Sequence, residues 1–265
     1  MVLGLISDVH ANVVALDAAL RALRGHGART IVCLGDMVGY GPAPNETIER
    51  LREERILCTL GAADERIAFD FARRAPPRKG VGDATLEWTR EVLEEVHVAW
   101  LRELPVQRKV ETPFGRLRAF HGTLDDPGER TDLQIDPIAL GKLFDRHRCR
   151  ILAAGATHVP YLRRTGAGVA VNPGSVGLSL NGEPGADYAL LRVDEEHVDV
   201  RMGKEDYDVA AVAFDIVAWG LPSVVAEAVQ MGRMPDRTAT DDAAHDRDAH
   251  EDGASEDDAG EDDLT

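Results

Sequence analysis

Five short stretches hold the residues of this chain best suited to chemistry. Ser7-Asp8-Val9-His10 sets a carboxylate and an imidazole two positions apart. Gly35-Asp36, Gly61-Ala62-Ala63-Asp64, His121-Gly122 and Gly155-Ala156-Thr157-His158 follow in order. Each comes after an apolar run that reads as a strand, and open α/β sheets gather their ligand sites at such strand ends. Carboxylate oxygens and imidazole nitrogens brought together this way suit cations such as Mn, Fe, Zn or Mg rather than a thiolate-seeking metal. Taken singly, an Asp after a strand is commonly a helix cap or turn former. Five such groups in sequence, each after its own strand, point instead to one shared centre.

The elements that must position these groups alternate between strand and helix, the pattern of an α/β protein with largely parallel central strands. Strands are expected over 2–7, 30–34 and 56–60, with Asn12 capping a helix whose apolar face is Val13, Leu16, Leu20 and Leu23. Helices are expected over 45–54, 64–73 and, as one long helix, 83–104, with a Pro/Gly/basic loop at 75–82. The second half reads as a hairpin over 106–111 and 116–121, a helix over 137–147 and a buried strand over 150–154. Further strands follow at 161–164, 169–171, 188–193 and 198–202, and two closing helices at 209–219 and 222–231. Val212, Phe214, Ile216 and Val217 in the first of these helices are expected to pack on the body of the same chain.

The chain has 265 residues, 44% hydrophobic and 29% charged, enough for an ordinary globular core. Its longest apolar runs fall far short of the roughly 20 residues that span a membrane, and no basic segment precedes an apolar stretch at the start. A cytoplasmic protein without membrane association is expected. Cys33, Cys58 and Cys149 are widely spaced and read as buried free thiols. The net charge of −17 excludes a general nucleic-acid binder. Residues 241–265 carry −11 of it, leaving −6 for the rest. With no aromatic side chain to bury, residues 234–265 are expected to form a disordered acidic tail beyond a single domain over 1–233. Arg73, Arg74, Arg78 and Lys79 form the one local basic run.

The segments Ile6-Ser7-Asp8-Val9-His10-Ala11-Asn12, Leu34-Gly35-Asp36-Met37-Val38-Gly39-Tyr40-Gly41-Pro42, His121-Gly122-Thr123, Gly155-Ala156-Thr157-His158 and Val171-Asn172-Pro173-Gly174-Ser175-Val176-Gly177 resemble the calcineurin-like metallophosphoesterases, most of all their small bacterial and archaeal members. The resemblance covers about residues 1–202. It implies a four-layer α/β/β/α sandwich, two cations at the strand ends and hydrolysis of phosphomonoesters or phosphodiesters, small molecules or nucleotides, by metal-activated water. It also implies that Asp8, His10 and His158 hold the first cation, that Asp36 bridges both and that His121 holds the second. Manganese is the expected metal, with Fe, Zn, Mg or Ni as alternatives.

Three departures from the family pattern fall on this site. Gly61-Ala62-Ala63-Asp64 stands where the family has Gly-Asn-His-Asp or Gly-Asn-His-Glu, so Ala62 replaces an amide ligand and Ala63 the histidine that serves the transition state. Ala156 replaces a further histidine ligand of the second cation. One firmly bound ion and weakened or altered hydrolysis are therefore expected, with no catalytic residue assigned in place of Ala63. Asp64, and Asp125 or Asp126, are candidates for a compensating ligand. A non-catalytic member that binds a phosphorylated ligand or a protein partner is the alternative, and oligomeric state stays open.

Overall fold

The computed structural model describes residues 1–69, 80–123, 126–128 and 136–235. The basic run at 73–79, Asp125 and the acidic tail from 236 onward lie outside these residues. The chain divides into two units, Met1–Met234 and Pro235–Thr265, and every described helix and strand belongs to the first.

Two five-stranded mixed sheets form its centre. In the first, β1 (Val2–Ile6), β2 (Thr30–Cys33) and β3 (Leu57–Cys58) run parallel, and β9 (Ala186–Val193) and β10 (Val198–Glu205) extend it antiparallel in the order β10-β9-β1-β2-β3. The second has the order β4-β5-β6-β8-β7: β4 (Gln107–Thr112) and β5 (Gly115–Phe120) form the expected hairpin, β5, β6 (Ile151–Ala153) and β8 (Val169–Asn172) are parallel, and β7 (Tyr161–Arg164) closes the edge antiparallel.

Alternation along the strands builds three stacked cores. Leu3, Leu5, Val32 and Leu34 of the first sheet meet Leu117, Ala119, Ile151, Ala153, Val169 and Val171 of the second. The opposite face of the first sheet, with Ile31, Cys33 and Leu190, packs on α1 (Val13–Gly25), α2 (Pro44–Glu53), α3 (Ala62–Ala68), α4 (Val81–Val92) and α5 (Glu95–Arg102). The outer face of the second, with Phe120, Leu152 and Ala170, packs on Leu140 and Phe144 of α6 (Pro137–His147). Asn12 caps α1 as expected, its Oδ1 accepting from Ala15 N at 3.0 Å. All three cysteines are buried and free.

The expected long helix over 83–104 is two helices. Leu93 turns extended at ψ 126° to bury its side chain, and Asn45 bridges the break: its Nδ2 donates to Val92 O and its Oδ1 accepts from Glu94 N, both at 2.9 Å. A helix that loses its ladder here has these groups satisfied from outside. α3 begins at Ala62, ahead of the expected Asp64. The closing pair, α7 (Val209–Ala218) and α8 (Ser223–Met231), packs Val212 and Ile216 against Leu178 and Val225, but leaves Phe214 and Val217 exposed on the surface of this chain.

Candidate metal centre

Asp8, His10, Asp36, His121 and His158 converge from both sheets, and all are buried. Beyond the ends of β1 and β2 the two loops stay zipped together: Asp8 N donates to Gly35 O at 2.9 Å, His10 N to Asp36 O at 3.0 Å and Ala11 N to Met37 O at 2.8 Å. The loops after β5 and β6 are tied in the same way by Gly155 N to His121 O at 3.0 Å. This close passage of backbones needs glycine at Gly35 and Gly61. A Cβ on Gly35, whose φ is +101°, would lie 2.7 Å from the Gly61 backbone. The loops also hold non-glycine residues in the left-handed region, with φ 53° at Asp8, 46° at His10, 54° at Asp36, 69° at Ala156 and 59° at His158. Such conformations cost roughly 1–2 kcal/mol for an ordinary residue and concentrate at functional sites.

The imidazoles are fixed in tautomer by carbonyls. His10 Nδ1 lies 3.2 Å from Val38 O, His121 Nδ1 3.0 Å from Leu34 O and His158 Nδ1 2.8 Å from Leu178 O. Each Nδ1–H donates there, so each Nε2 turns its other face inward, the arrangement that orients histidine ligands in metal sites. His10 Nε2 and His158 Nε2 face one another at 3.1 Å. Asp8 Oδ1 is buried without a hydrogen bond, and lies 3.2 Å from His158 Nε2 and 3.9 Å from the Nε2 of both His10 and His121. Two lone pairs aimed at each other beside an unpartnered carboxylate oxygen are unfavourable unless a cation or proton sits between them. The donor set fits a divalent cation.

Two triads share this geometry: Asp8 with His10 and His158, and Asp8 with Asp36 and His121. Asp8 is the carboxylate common to both, while Asp36 Oδ2 lies 3.3 Å from His121 Nε2 and 3.9 Å from His10 Nε2 and so also faces both groups. The other oxygen of Asp36 accepts from Ala63 N at 2.8 Å, and Asp8 Oδ2 accepts from Ala156 N at 3.2 Å.

The charges interlock. Burial opposes ionisation of Asp8, but His158, His121 and His10 overcome it and hold the carboxyl well below its usual range. Asp36 is likewise lowered against its burial, chiefly by His121. Burial disfavours the charged form of His121, yet Asp36 and Asp8 push its pKa up to about 9. His158 is raised in the same sense by Asp8. His10 goes the other way, lowered to about 4 by burial and by His158. In the metal-free protein a proton on His121 supplies positive charge that these carboxylates demand.

Asp64 is differently employed. Its Oδ1 accepts from Met37 N at 2.9 Å and Val38 N at 3.2 Å, and its Oδ2 from Gly61 N at 3.0 Å, so both oxygens brace the loops that carry Asp36 and start α3. Burial and the nearby Asp36 raise its pKa to about 7. Asp126 caps its own turn, Oδ1 accepting from Gly128 N at 2.7 Å. The Asn172-to-Ser175 segment is a brace as well: Asn172 Nδ2 donates to Gly155 O at 2.9 Å and Ser175 Oγ to Asp8 O at 2.7 Å. Tyr40 stands edge-on to the His10 ring, centroids 4.7 Å apart. The centre opens on a cavity of about 470 Å³ whose lining includes Tyr40, Ala62, Ala63, Arg66, Leu86 and Ala156. The carbonyls that orient the histidines, and Arg66 with its partner Asp83, carried no signal in the sequence.

Comparison with known proteins places this geometry. The calcineurin-like phosphoesterase superfamily domain matches residues 1–196. Phosphodiesterase YfcE of Escherichia coli K12 is 26% identical over 207 residues, 73% of this chain and 89% of that protein. An uncharacterised protein of Methanocaldococcus jannaschii is 25% identical over 250 residues, 87% and 98% of the respective chains. The crystal structure of a metallophosphoesterase from Sphaerobacter thermophilus superposes with a TM-score of 0.71 at 25% identity, covering 88% of this chain and 99% of that one. Because the domain match spans every strand and loop that supplies the five donors, the chain belongs to the calcineurin-like phosphoesterase superfamily.

Proposed function

We propose that the protein is a cytoplasmic metal-dependent phosphoesterase that holds one divalent cation firmly, manganese in preference to Fe, Zn, Mg or Ni, and a second weakly or not at all. The observation that carries this reading is the set of three carbonyl-pinned imidazoles facing the unpartnered Asp8 Oδ1. Asp8, His10 and His158, with Asp36 shared between the two, form the stronger subsite, and Asp36 with His121 the weaker. The relative named as a phosphodiesterase supports phosphate esters as substrates. Residues 1–233 form the working domain.

A bound divalent cation supplies Lewis acidity toward a phosphoryl oxygen and lowers the pKa of water. The chain's own contribution is orientation. Val38, Leu34 and Leu178 fix the imidazoles, Ala63 N and Ala156 N fix the carboxylates, and Tyr40 and Leu86 wall the cavity. Ala62, Ala63 and Ala156 offer the cavity only methyl groups. Removing one group that stabilises a transition state costs ~2.7–4 kcal/mol, a hundredfold or more in rate. Those same methyls favour the second reading, a non-catalytic member that keeps the pocket to bind a phosphorylated ligand.

The test is hydrolysis of an aryl phosphomonoester and an aryl phosphodiester with added Mn²⁺, beside Asp36→Ala and the triple reversion Ala62→Asn, Ala63→His, Ala156→His. Slow hydrolysis that disappears in Asp36→Ala and rises at least a hundredfold in the reversion is expected. Activity found only in the reverted protein would establish the binding role instead.

A further inference from the structure

The cavity that receives the metal centre extends along α3 to a guanidinium. Ala62 and Arg66 both line it. Four residues apart on one helix face, they are separated by one turn, about 6 Å along the axis. Asp36, Ala62, Ala63 and Arg66 all line this one cavity, and the two alanines contribute nothing larger than a methyl group to it. Arg66 Nη2 pairs with Asp83 Oδ1 in the first turn of α4, and Arg90 Nη2 holds the Arg66 carbonyl at 3.1 Å. Among the described residues the other guanidinium donors carry no further partner, and about a third of the side chain is open to solvent. Three carboxylates, Asp36, Glu65 and Asp83, also line the cavity, and among the described residues Arg66 is the one arginine or lysine that does.

We propose that Arg66 forms a subsite for a second anionic group, a phosphate or a carboxylate, on a phosphate ester whose scissile phosphoryl group lies at the metal centre. The inference rests on the phosphoesterase reading above and adds the substrate class. A guanidinium recognises either anion through paired donors. Asp83 holds Arg66 in place while the cavity is empty and shares it with the ligand once one arrives. Glu65, which also lines the cavity, disfavours an anion that does not reach the guanidinium, so the second charge must engage Arg66 itself.

Calorimetric titration of the Mn²⁺-loaded protein with 4-phosphonobutyrate, propane-1,3-diphosphonate and the singly anionic-ended butylphosphonate reads this directly. At least one of the two-anion ligands should bind about tenfold more tightly than butylphosphonate, and which of them does names carboxylate or phosphate as the second group. In Arg66→Gln, checked for folding by circular dichroism, that ratio should fall to about one, and in Arg66→Lys to an intermediate value. In Asp83→Asn, where the guanidinium is released, the ratio should rise. A wild-type ratio near one, a ratio that survives Arg66→Gln, or no change in Asp83→Asn overturns the subsite while Mn²⁺ uptake leaves the metal centre standing. Absence of Mn²⁺ uptake overturns the metal-centre reading and the subsite with it.

Discussion

Metal binding should expel protons from this site, and the number is worked from the charges around it. At pH 7 His10, lowered to about 4, is already neutral, and Asp8 and Asp36 are ionised. His121 is protonated with a pKa of about 9, so a cation on the Asp8–Asp36–His121 triad must displace a proton held two pH units above the medium. At about 1.36 kcal/mol per unit this competition costs about 2.7 kcal/mol, or a hundredfold in affinity. On the other triad burial disfavours the charged form of His158, but Asp8 raises its pKa, so the proton competes with a cation there in the same direction. Mn²⁺ affinity of the triad that contains His121 should therefore rise close to tenfold per pH unit from 7 toward 9. Calorimetry in buffers of different ionisation enthalpy counts those protons, and manganese electron paramagnetic resonance follows the affinity. In His121→Gln one proton should vanish from the count if the second triad is filled. An affinity flat between pH 7 and 8.5, with heats independent of buffer, would refute the reasoning. The metal-free fold carries the mirror image. His121 has a folded pKa above its unfolded value near 6.5, so its contribution of about 3 kcal/mol is complete below pH 6.5 and is lost as pH rises through 9. His10, with its pKa depressed to about 4, withdraws stability as pH falls from 6.5 toward that value.

Asp64→Ala deprives the three buried amides of Met37, Val38 and Gly61 of their acceptor, which at about 1–3 kcal/mol each should lower stability in urea by at least about 3 kcal/mol. With both carboxylate oxygens committed to backbone, the number of Mn²⁺ ions per folded chain should stay unchanged in Asp64→Asn; loss of an ion in plasma emission analysis would restore Asp64 as a ligand. Gly61→Ala would set a Cβ 2.3 Å from Asp36 Oδ1 and 2.0 Å from Asp36 N. Overpacking of this kind costs about 1–3 kcal/mol, and here it should displace Asp36, so Mn²⁺ affinity should drop at least tenfold while far-ultraviolet circular dichroism keeps its shape.

The elements of this fold were legible because their cues are local. Asn12 caps α1, and β1, β2 and β6 show through their apolar runs. What failed to show is what depends on partners distant in sequence. The break between α4 and α5 exists because Asn45, nearly fifty residues earlier, supplies both a donor and an acceptor there. Asp64 follows a strand like the metal ligands do, and nothing in its neighbourhood distinguishes a carboxylate that faces a cation from one that accepts three amides. The outward exposure of Phe214 and Val217 was hidden for a related reason. Helix α7 is apolar nearly all round, so its pattern does not say which side the body covers.

The geometry of the site has an energetic logic that residue types alone could not supply. Asp8, His10, Asp36 and His158 hold left-handed backbone, Asp8 Oδ1 is buried without a hydrogen bond, and two Nε2 atoms face each other at 3.1 Å. Each of these features costs stability, and they are concentrated in a few loops. The same loops are braced by the amides of Gly177 and Ala156, by the Ser175 hydroxyl and by the zipped contacts between the β1 and β2 ends, so the strain cannot relax by local rearrangement. A divalent cation would offset these costs, because Asp8, His10 and His158 would hold it through the facing lone pairs and the orphan carboxylate oxygen in the conformation that the backbone already has. Ala156 is the exception. It keeps the left-handed φ of 69° with no side-chain donor to show for it, and its amide serves Asp8 instead. The loop is thus still shaped around the Asp8–His10–His158 triad, with the Ala156 amide holding one oxygen of its carboxylate.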